Sequence, residues 1–123
     1  MKKKEDKKLY WVGSSKDDIR EFPEDVKDDI GYALRQAQKG EKSASAKPLR
    51  GFSGASVLEI IDNYDTDTYR ACYTVRFSEV IYVLHCFQKK SKKGIETPKQ
   101  DIELIKRRLR AAEADHVENY KRS

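Results

Sequence analysis

Two runs near the middle of the chain, Tyr69–Phe77 (YRACYTVRF) and Val80–Gln88 (VIYVLHCFQ), limit the fold more than any other feature. Both are rich in β-branched and aromatic residues, and only Ser78-Glu79 separates them. Such runs form strands, and so short a break turns them into an antiparallel hairpin. A tight loop sets Ala71 opposite Cys86, Tyr73 opposite Leu84, Val75 opposite Tyr82 and Phe77 opposite Val80. Every member of that set is apolar or aromatic, so this is the expected core face, covered by helices. The other face carries Arg70 with Phe87, Cys72 with His85, Thr74 with Val83 and Arg76 with Ile81, and Lys89 continues it. Arg70, His85 and Lys89 thus converge at the open end of one sheet face, unless a one-residue slip turns them over.

The flanking segments give the rest of the architecture. Leu9–Val12 is a short apolar strand broken by Gly13. Ser14 or Ser15 can cap a helical turn whose first residues include Asp17 and Asp18. Pro23 suits the first turn of a longer helix with Val26, Ile30, Leu34 and Ala37 on its buried stripe, and Gly40 ends it. Glu41–Ala46 is a polar linker. In KPLRGFSG (Lys47–Gly54), Gly51 and Gly54 imply an irregular backbone. Val57–Ile61 is a strand and Asp62–Asp67 a polar turn. Thr97 as N-cap and Pro98 at the first position open a last helix, with Gln100 placed for a capping box and Ile102, Ile105, Leu109 and Ala112 as its stripe. Beyond Ala112 the apolar pattern thins, so residues 113–123 either fray or wait for a partner. The expected class is α+β. One domain over residues 1–123 holds a small antiparallel sheet, an N-terminal strand plus a three-strand meander, packed against N-terminal helices and a C-terminal helix.

Composition bears on partners. The chain of 123 residues has 38% charged side chains and a formal net charge of +5, with a mean hydropathy of −0.88. The charge is uneven. Ser14–Leu34 sets Lys16, Arg20 and Lys27 against seven carboxylates. Cys86–Arg110 sets nine cations against Glu96, Asp101 and Glu103. The basic character is therefore a patch in the C-terminal half, suited to a polyanion. It peaks at Lys89, Lys90, Lys92 and Lys93, where strand gives way to helix. No apolar run approaches the roughly 18 residues of a membrane helix. MKKKEDKK (residues 1–8) reads as a solvated basic tail with no apolar segment behind it, hence no signal peptide. Cys72 and Cys86 give neither a disulfide framework nor a metal-ligand spacing. They read as reduced thiols of a cytoplasmic protein, with no metal or cofactor expected and no membrane partner.

KPLRGFSG (Lys47–Gly54), VLEI (Val57–Ile60), YRACY (Tyr69–Tyr73), YVLHCFQKKSKKGIETP (Tyr82–Pro98) and IKRRL (Ile105–Leu109) resemble, as a set, the RelE/ParE superfamily of type II toxins. The nearest branch is the HigB-like group, also called phage-derived Gp49-like proteins. The resemblance covers Leu9 to Ala112. It implies a toxin that cuts mRNA in the ribosome without a metal, by attack of the ribose 2′-oxygen on the adjacent phosphate. It also implies a cognate antitoxin, often a helix-turn-helix DNA-binding protein encoded beside the toxin.

That reaction needs a base for the 2′-proton, cations for the charge on the phosphate, and an acid for the leaving oxygen. By resemblance, Arg70 matches the phosphate-clamping arginine, and Lys89 or Lys90 matches the basic residue past the last strand. His85, whose type titrates near neutrality, is the candidate for proton transfer. Its plainer reading is a packed core histidine, and that of Arg70 an ion pair with Asp65 or Asp67. Lys47, Arg50, Lys92 and Lys93 are the expected RNA-contacting cations, and Tyr69 can stack on a base. The chain departs from the best-known RNA-cutting pattern at two places. Glu59 stands on a strand where lysines are usual, and Ile95 and Glu96 stand where a tyrosine is usual. His85 and Glu59 then take over proton transfer, or activity is weak or absent. A gyrase-directed toxin of the ParE type and a non-catalytic nucleic-acid-binding domain are the alternatives.

Overall fold

The computed structural model describes residues 5–53, 56–89 and 97–120. Along the chain it forms β1 (Lys8–Trp11), α1 (Ser15–Arg20), α2 (Glu24–Gln38), β2 (Ala46–Pro48), β3 (Val57–Tyr64), β4 (Asp67–Thr74), β5 (Val80–Lys89) and α3 (Lys99–Tyr120). The class is α+β, as the sequence pattern implies. The strands make one sheet in the order β1-β5-β4-β3-β2. The sheet is mixed, not wholly antiparallel, because β1 runs parallel to β5. Two helices separate β1 from β2, so no hairpin dictates its direction. The edge strand β2 forms within the segment expected to be linker and irregular loop. Ala46, Lys47 and Pro48 pair with Ile60, Glu59 and Leu58.

The tight two-residue turn joins β3 to β4 instead of β4 to β5. Tyr64 pairs with Asp67 across Asp65 and Thr66, which have φ of 48° and 71°. Positive φ at both central residues matches the twist of a hairpin. The DNYDTD segment is therefore mostly strand. Between β4 and β5 the connection is longer, and the ladder carries a bulge. Thr68, Arg70 and Cys72 face Lys89, Phe87 and His85 as expected, but Tyr73 faces Val83. Leu84 is the extra residue, so Leu84 and His85 both turn toward α3. This corrects the single core face. Ala71, Tyr73, Ile81, Val83 and Cys86 pack with Ile19 of α1, with Phe22 in the connection after it, and with Val26, Ile30 and Leu34 of α2. Val80, Tyr82 and Leu84 lie on the other face, with Cys72, Ile105 and Ala112. Both faces of the sheet are covered.

α2 follows its sequence pattern closely. Val26, Ile30, Leu34 and Ala37 are buried along with Ala33, and Gly40, at φ 84°, stops the helix. α3 departs from its pattern. Residues 113–120 are helical, not frayed. The reason is polar. The Tyr82 hydroxyl donates to Asp115 at 2.5 Å, Nε2 of His116 lies 2.7 Å from Glu79 Oε1, and Arg76 pairs with Glu113 at 2.7 Å. The hydrogen bond from His116 holds the Glu79 carboxyl below its ordinary range. Midway along α3, Arg108 donates from Nη1 to the carbonyl of Leu84 at 2.9 Å and from Nη2 to Ser14 Oγ at 3.1 Å. Its guanidinium lies over Gly13, where a Cβ would meet Arg108 Nε at 2.8 Å. Arg108 thus satisfies the bulge carbonyl, and the φ of 57° at Gly13 is what favours glycine there.

Thr66 is the strained position, because a β-branched residue in the left-handed region crowds its own backbone. Thr66→Gly should stabilise the fold by about 1 kcal/mol, read as a rise in the urea midpoint at unchanged slope. No change would show that the turn accommodates threonine without strain.

Candidate functional site

Strand register places four chemically active side chains in one row across the α3-facing side. Lys47 faces Glu59, Glu59 faces Cys72, and Cys72 faces His85. The row crosses β2 to β5 over roughly 14 Å, three strand spacings. Arg70 belongs to the same face, one step along β4, opposite Ile61 and Phe87. The start of α3 lies over this surface.

Arg70 and Glu59 are each only 3% exposed and form an ion pair, with Nη1 3.1 Å from Oε1. The partner expected for a structural Arg70 was Asp65 or Asp67. Both of those lie at the far turn, while Glu59 is on the adjacent strand. Thr97 completes the cluster. Its hydroxyl donates to Glu59 Oε2 at 2.8 Å and accepts from Arg70 Nη1 at 3.2 Å. Thr97 therefore bonds across to the sheet, and α3 begins two residues later, at Lys99. The Cys72 thiol points at Glu59 Oε2 from 3.8 Å. Burial, then the nearby carboxylate, pushes that thiol well above its ordinary range. It stays protonated and inert as a nucleophile. Burial also pushes Cys86 up to about 12.

Beside this cluster opens a cavity of about 460 Å³ lined by Lys47, Pro48, Leu49, Arg50, Glu59, Thr97 and Ile102. Lys47 and Arg50 are exposed and Leu49 is buried, so the cavity has a cationic rim and a partly apolar wall. Glu59 and Thr97 are its polar inner surface. Two of the sequence-expected residues, Lys47 and Arg50, thus meet Glu59 in one concavity. Arg70 is not among the lining residues and reaches the cavity only through Glu59 and Thr97.

His85 is held elsewhere in the row. Nε2 lies 2.7 Å from Asp101 Oδ1, and the ring stacks on Phe87 at 4.6 Å between centroids. Nδ1 is buried and has no hydrogen-bond partner among the described residues. Neither ring nitrogen is presented to a ligand, so the packed-histidine reading describes this geometry. Tyr69 is buried on the opposite face, its ring 4.9 Å from that of Phe22, which removes it from the surface around Arg70. Lys89 ends β5 opposite Thr68, half-buried. Lys90, Lys92 and Lys93, with Ile95 and Glu96, lie outside the described residues. Among the described residues no three His, Cys, Asp or Glu side chains gather as metal ligands, and no helix is long and apolar enough to cross a membrane.

Sequence reasoning missed Asp101, Ile102 and the second role of Thr97. Their signal lay only in the position of α3 over β3 to β5, which no local pattern encodes.

The model of the phage-derived Gp49-like protein family matches residues 17–110. The chain belongs to that family. Gp49-like proteins are a family of the RelE toxin type. The match runs from α1 into the middle of α3 and takes in every residue of the cavity as well as Arg70 and His85. No curated protein and no solved structure matches the chain. In this Gp49-like chain the arginine that the resemblance assigns to phosphate is neutralised by Glu59 on the adjacent strand.

Removing one partner of such a buried pair leaves an uncompensated charge. Arg70→Met alone and Glu59→Leu alone should each cost about 3–5 kcal/mol, and combining the two substitutions should recover most of it. Urea denaturation of the two variants and the double variant measures this. Additive losses would mean that the two side chains act independently.

Proposed function

We propose that this Gp49-like chain is the toxin of a type II toxin–antitoxin pair, of the HigB-like branch, and that it cleaves mRNA on the ribosome in the cytoplasm. One observation carries the reading. In a chain of a RelE-type family, two exposed cations, Lys47 and Arg50, rim a cavity whose inner surface bears a carboxylate and a hydroxyl. The cations suit an RNA phosphate by charge and by hydrogen bonding.

In the proposed reaction the ribose 2′-oxygen forms a bond to phosphorus as the bond from phosphorus to the 5′-oxygen breaks. Thr97 lines the cavity and donates to Glu59 Oε2, so the 2′-proton passes to the Thr97 hydroxyl as that hydroxyl gives its own proton to Glu59. The Lys47 ammonium, on the neighbouring strand, returns a proton to the leaving 5′-oxygen. The products are a 2′,3′-cyclic phosphate and a 5′-hydroxyl. Lys47 and Arg50 carry the charge that builds on the phosphate, and Lys89 adds a cation at the end of β5. Arg70 acts through Glu59, holding its carboxylate in place. His85 ties the start of α3 to β5 in this scheme and does not transfer the proton. The antitoxin partner, a helix-turn-helix protein encoded nearby, belongs to the same proposal.

A second reading has its own support. Arg70 is buried and already bonded to Glu59, so the clamp that the resemblance assigns is not offered to a ligand. That favours a non-catalytic nucleic-acid-binding domain.

Ribosomes and mRNA incubated with the protein separate these readings when 5′ ends are mapped. New ends are expected, and Lys47→Ala and Arg50→Ala should each slow their appearance about 10²-fold or more. Intact mRNA with retained RNA binding would select the second reading, and gyrase-linked DNA breaks with intact mRNA would select a ParE-type target. Binding itself should weaken with salt. About four phosphate contacts on a single strand predict a log–log slope near −3, flattened by about 0.7 in each variant. A flat salt dependence contradicts a phosphate-led interface.

A further inference from the structure

We infer that the outer edge of β1 is the interface for a second copy of this chain, whose own β1 pairs with it antiparallel about Tyr10. β1 and β2 are the two edges of the sheet, and an open edge is a template for another strand. On β1, the N–H of Lys8 donates to the carbonyl of Glu79 and that of Val12 to the carbonyl of Val83, each at 2.9 Å. Tyr10 lies between them in the same parallel register. These alternate positions turn inward, so Leu9 and Trp11 turn their N–H and C=O groups outward. Among the described residues no strand or loop bonds to those outward groups.

β2 is the contrast. Leu49 donates to the Val57 carbonyl at 2.9 Å, and Ile61 donates to the Ser45 carbonyl at 3.1 Å. Ala46 and Pro48 are therefore the outward positions. Proline has no N–H to offer, and the N–H of Ala46 turns back to the Ser43 carbonyl at 3.1 Å. That edge is closed by its own sequence. Between Leu9 and Trp11, β1 has neither a proline nor a local turn.

Register selects the occupant. A two-fold axis at Tyr10 sets Leu9 opposite the second copy's Trp11, and Trp11 opposite its Leu9, so both outward positions of each copy are paired. A centre at Leu9 would set Trp11 against Lys7, whose N–H already donates to the Gln38 carbonyl at 2.8 Å. A centre at Trp11 would set Leu9 against Gly13, which leaves the strand at φ 57°. The side chains agree with the Tyr10 centre. Leu9 and Trp11 are both half-buried against the α1–α2 core, so apolar meets apolar across the seam. Tyr10, 50% exposed with its ring 5.5 Å from that of Tyr82, meets its own copy as an aromatic pair. Lys8 falls opposite Val12, so like charges do not face each other. The five strands of each copy then form one sheet with both β2 cavities at its outer ends. The inference does not depend on the RNA-directed reading.

Sedimentation equilibrium and amide hydrogen exchange of the full chain, each over a range of protein concentrations, test the interface. A dimer is expected, and the Leu9 and Trp11 amides should become protected as it forms, while those of Lys8, Tyr10 and Val12 are protected throughout. Leu9→Pro removes an outward N–H and no ladder bond, and should raise the dissociation constant at least about tenfold. Tyr10→Cys should cross-link the dimer on air oxidation, because the Cβ atoms of directly opposed residues lie about 4.5–5.5 Å apart. Lys8→Cys, also exposed, should not, since four strand positions set the two copies of residue 8 roughly 13 Å or more apart. A chain that stays monomeric overturns the inference. So does a dimer whose Leu9 and Trp11 amides exchange freely, or one in which Lys8→Cys cross-links as fast as Tyr10→Cys. Should Leu9→Pro not fold, exchange and cross-linking decide. Protection of Leu9 and Trp11 that appears only when a different chain binds the monomer assigns the edge to that chain and overturns the second copy.

Discussion

The buried contact between Arg70 and Glu59 holds together the inner wall of the cavity. It links β4 to β3, and Thr97 extends it to the first turn of α3. The β3–β4 hairpin and the sequence-distant start of α3 are thereby joined where apolar packing alone would leave charges unpaired. Pairing offsets a desolvation penalty of several kcal/mol per ion, so the contact specifies geometry more than it adds stability. That geometry is the cavity, since Glu59 and Thr97 are at once members of the cluster and part of its lining.

α3 depends on similar contacts along its whole length. Its fully buried apolar side chains are Ile105 and Ala112, with Ile102 and Leu109 half-buried. So narrow a stripe positions a helix of 22 residues weakly by itself. Asp101 to His85, Arg108 to the Leu84 carbonyl, and Asp115 to Tyr82 set its register on β5. The β5 bulge is part of the same device, because it turns Leu84 and His85 toward α3 together and leaves a carbonyl for Arg108. A helix fixed in this way brings Thr97 and Ile102 to the cavity and encloses His85.

Much of this was legible from residues alone. The α2 stripe, the β4 and β5 strands, and the convergence of Arg70, His85 and Lys89 on one face all followed from period and register. Lys47 and Arg50 were identified through family resemblance, and they line the cavity. The bulge was not legible, because both registers place apolar residues inward on a sheet covered on both faces. The parallel pairing of β1 had no local signal. Nor did the burial of Arg70. Glu59 was visible as an anomaly among expected lysines, but its pairing with Arg70 needed the β3–β4 register. Tyr69 alternates with Arg70 along a strand, and that alternation alone sends its ring to the α2 side.

The most direct test of the nuclease account is the chemistry of the RNA ends. A synthetic single-stranded RNA or a ribosome-bound mRNA is incubated with the protein in the presence of a chelator, and the fragments are weighed by mass spectrometry. The account predicts fragments ending in a 2′,3′-cyclic phosphate and beginning with a 5′-hydroxyl, and none from a Lys47→Ala, Arg50→Ala double variant. Intact RNA with the wild-type protein, or ends bearing a 5′-phosphate, would contradict it.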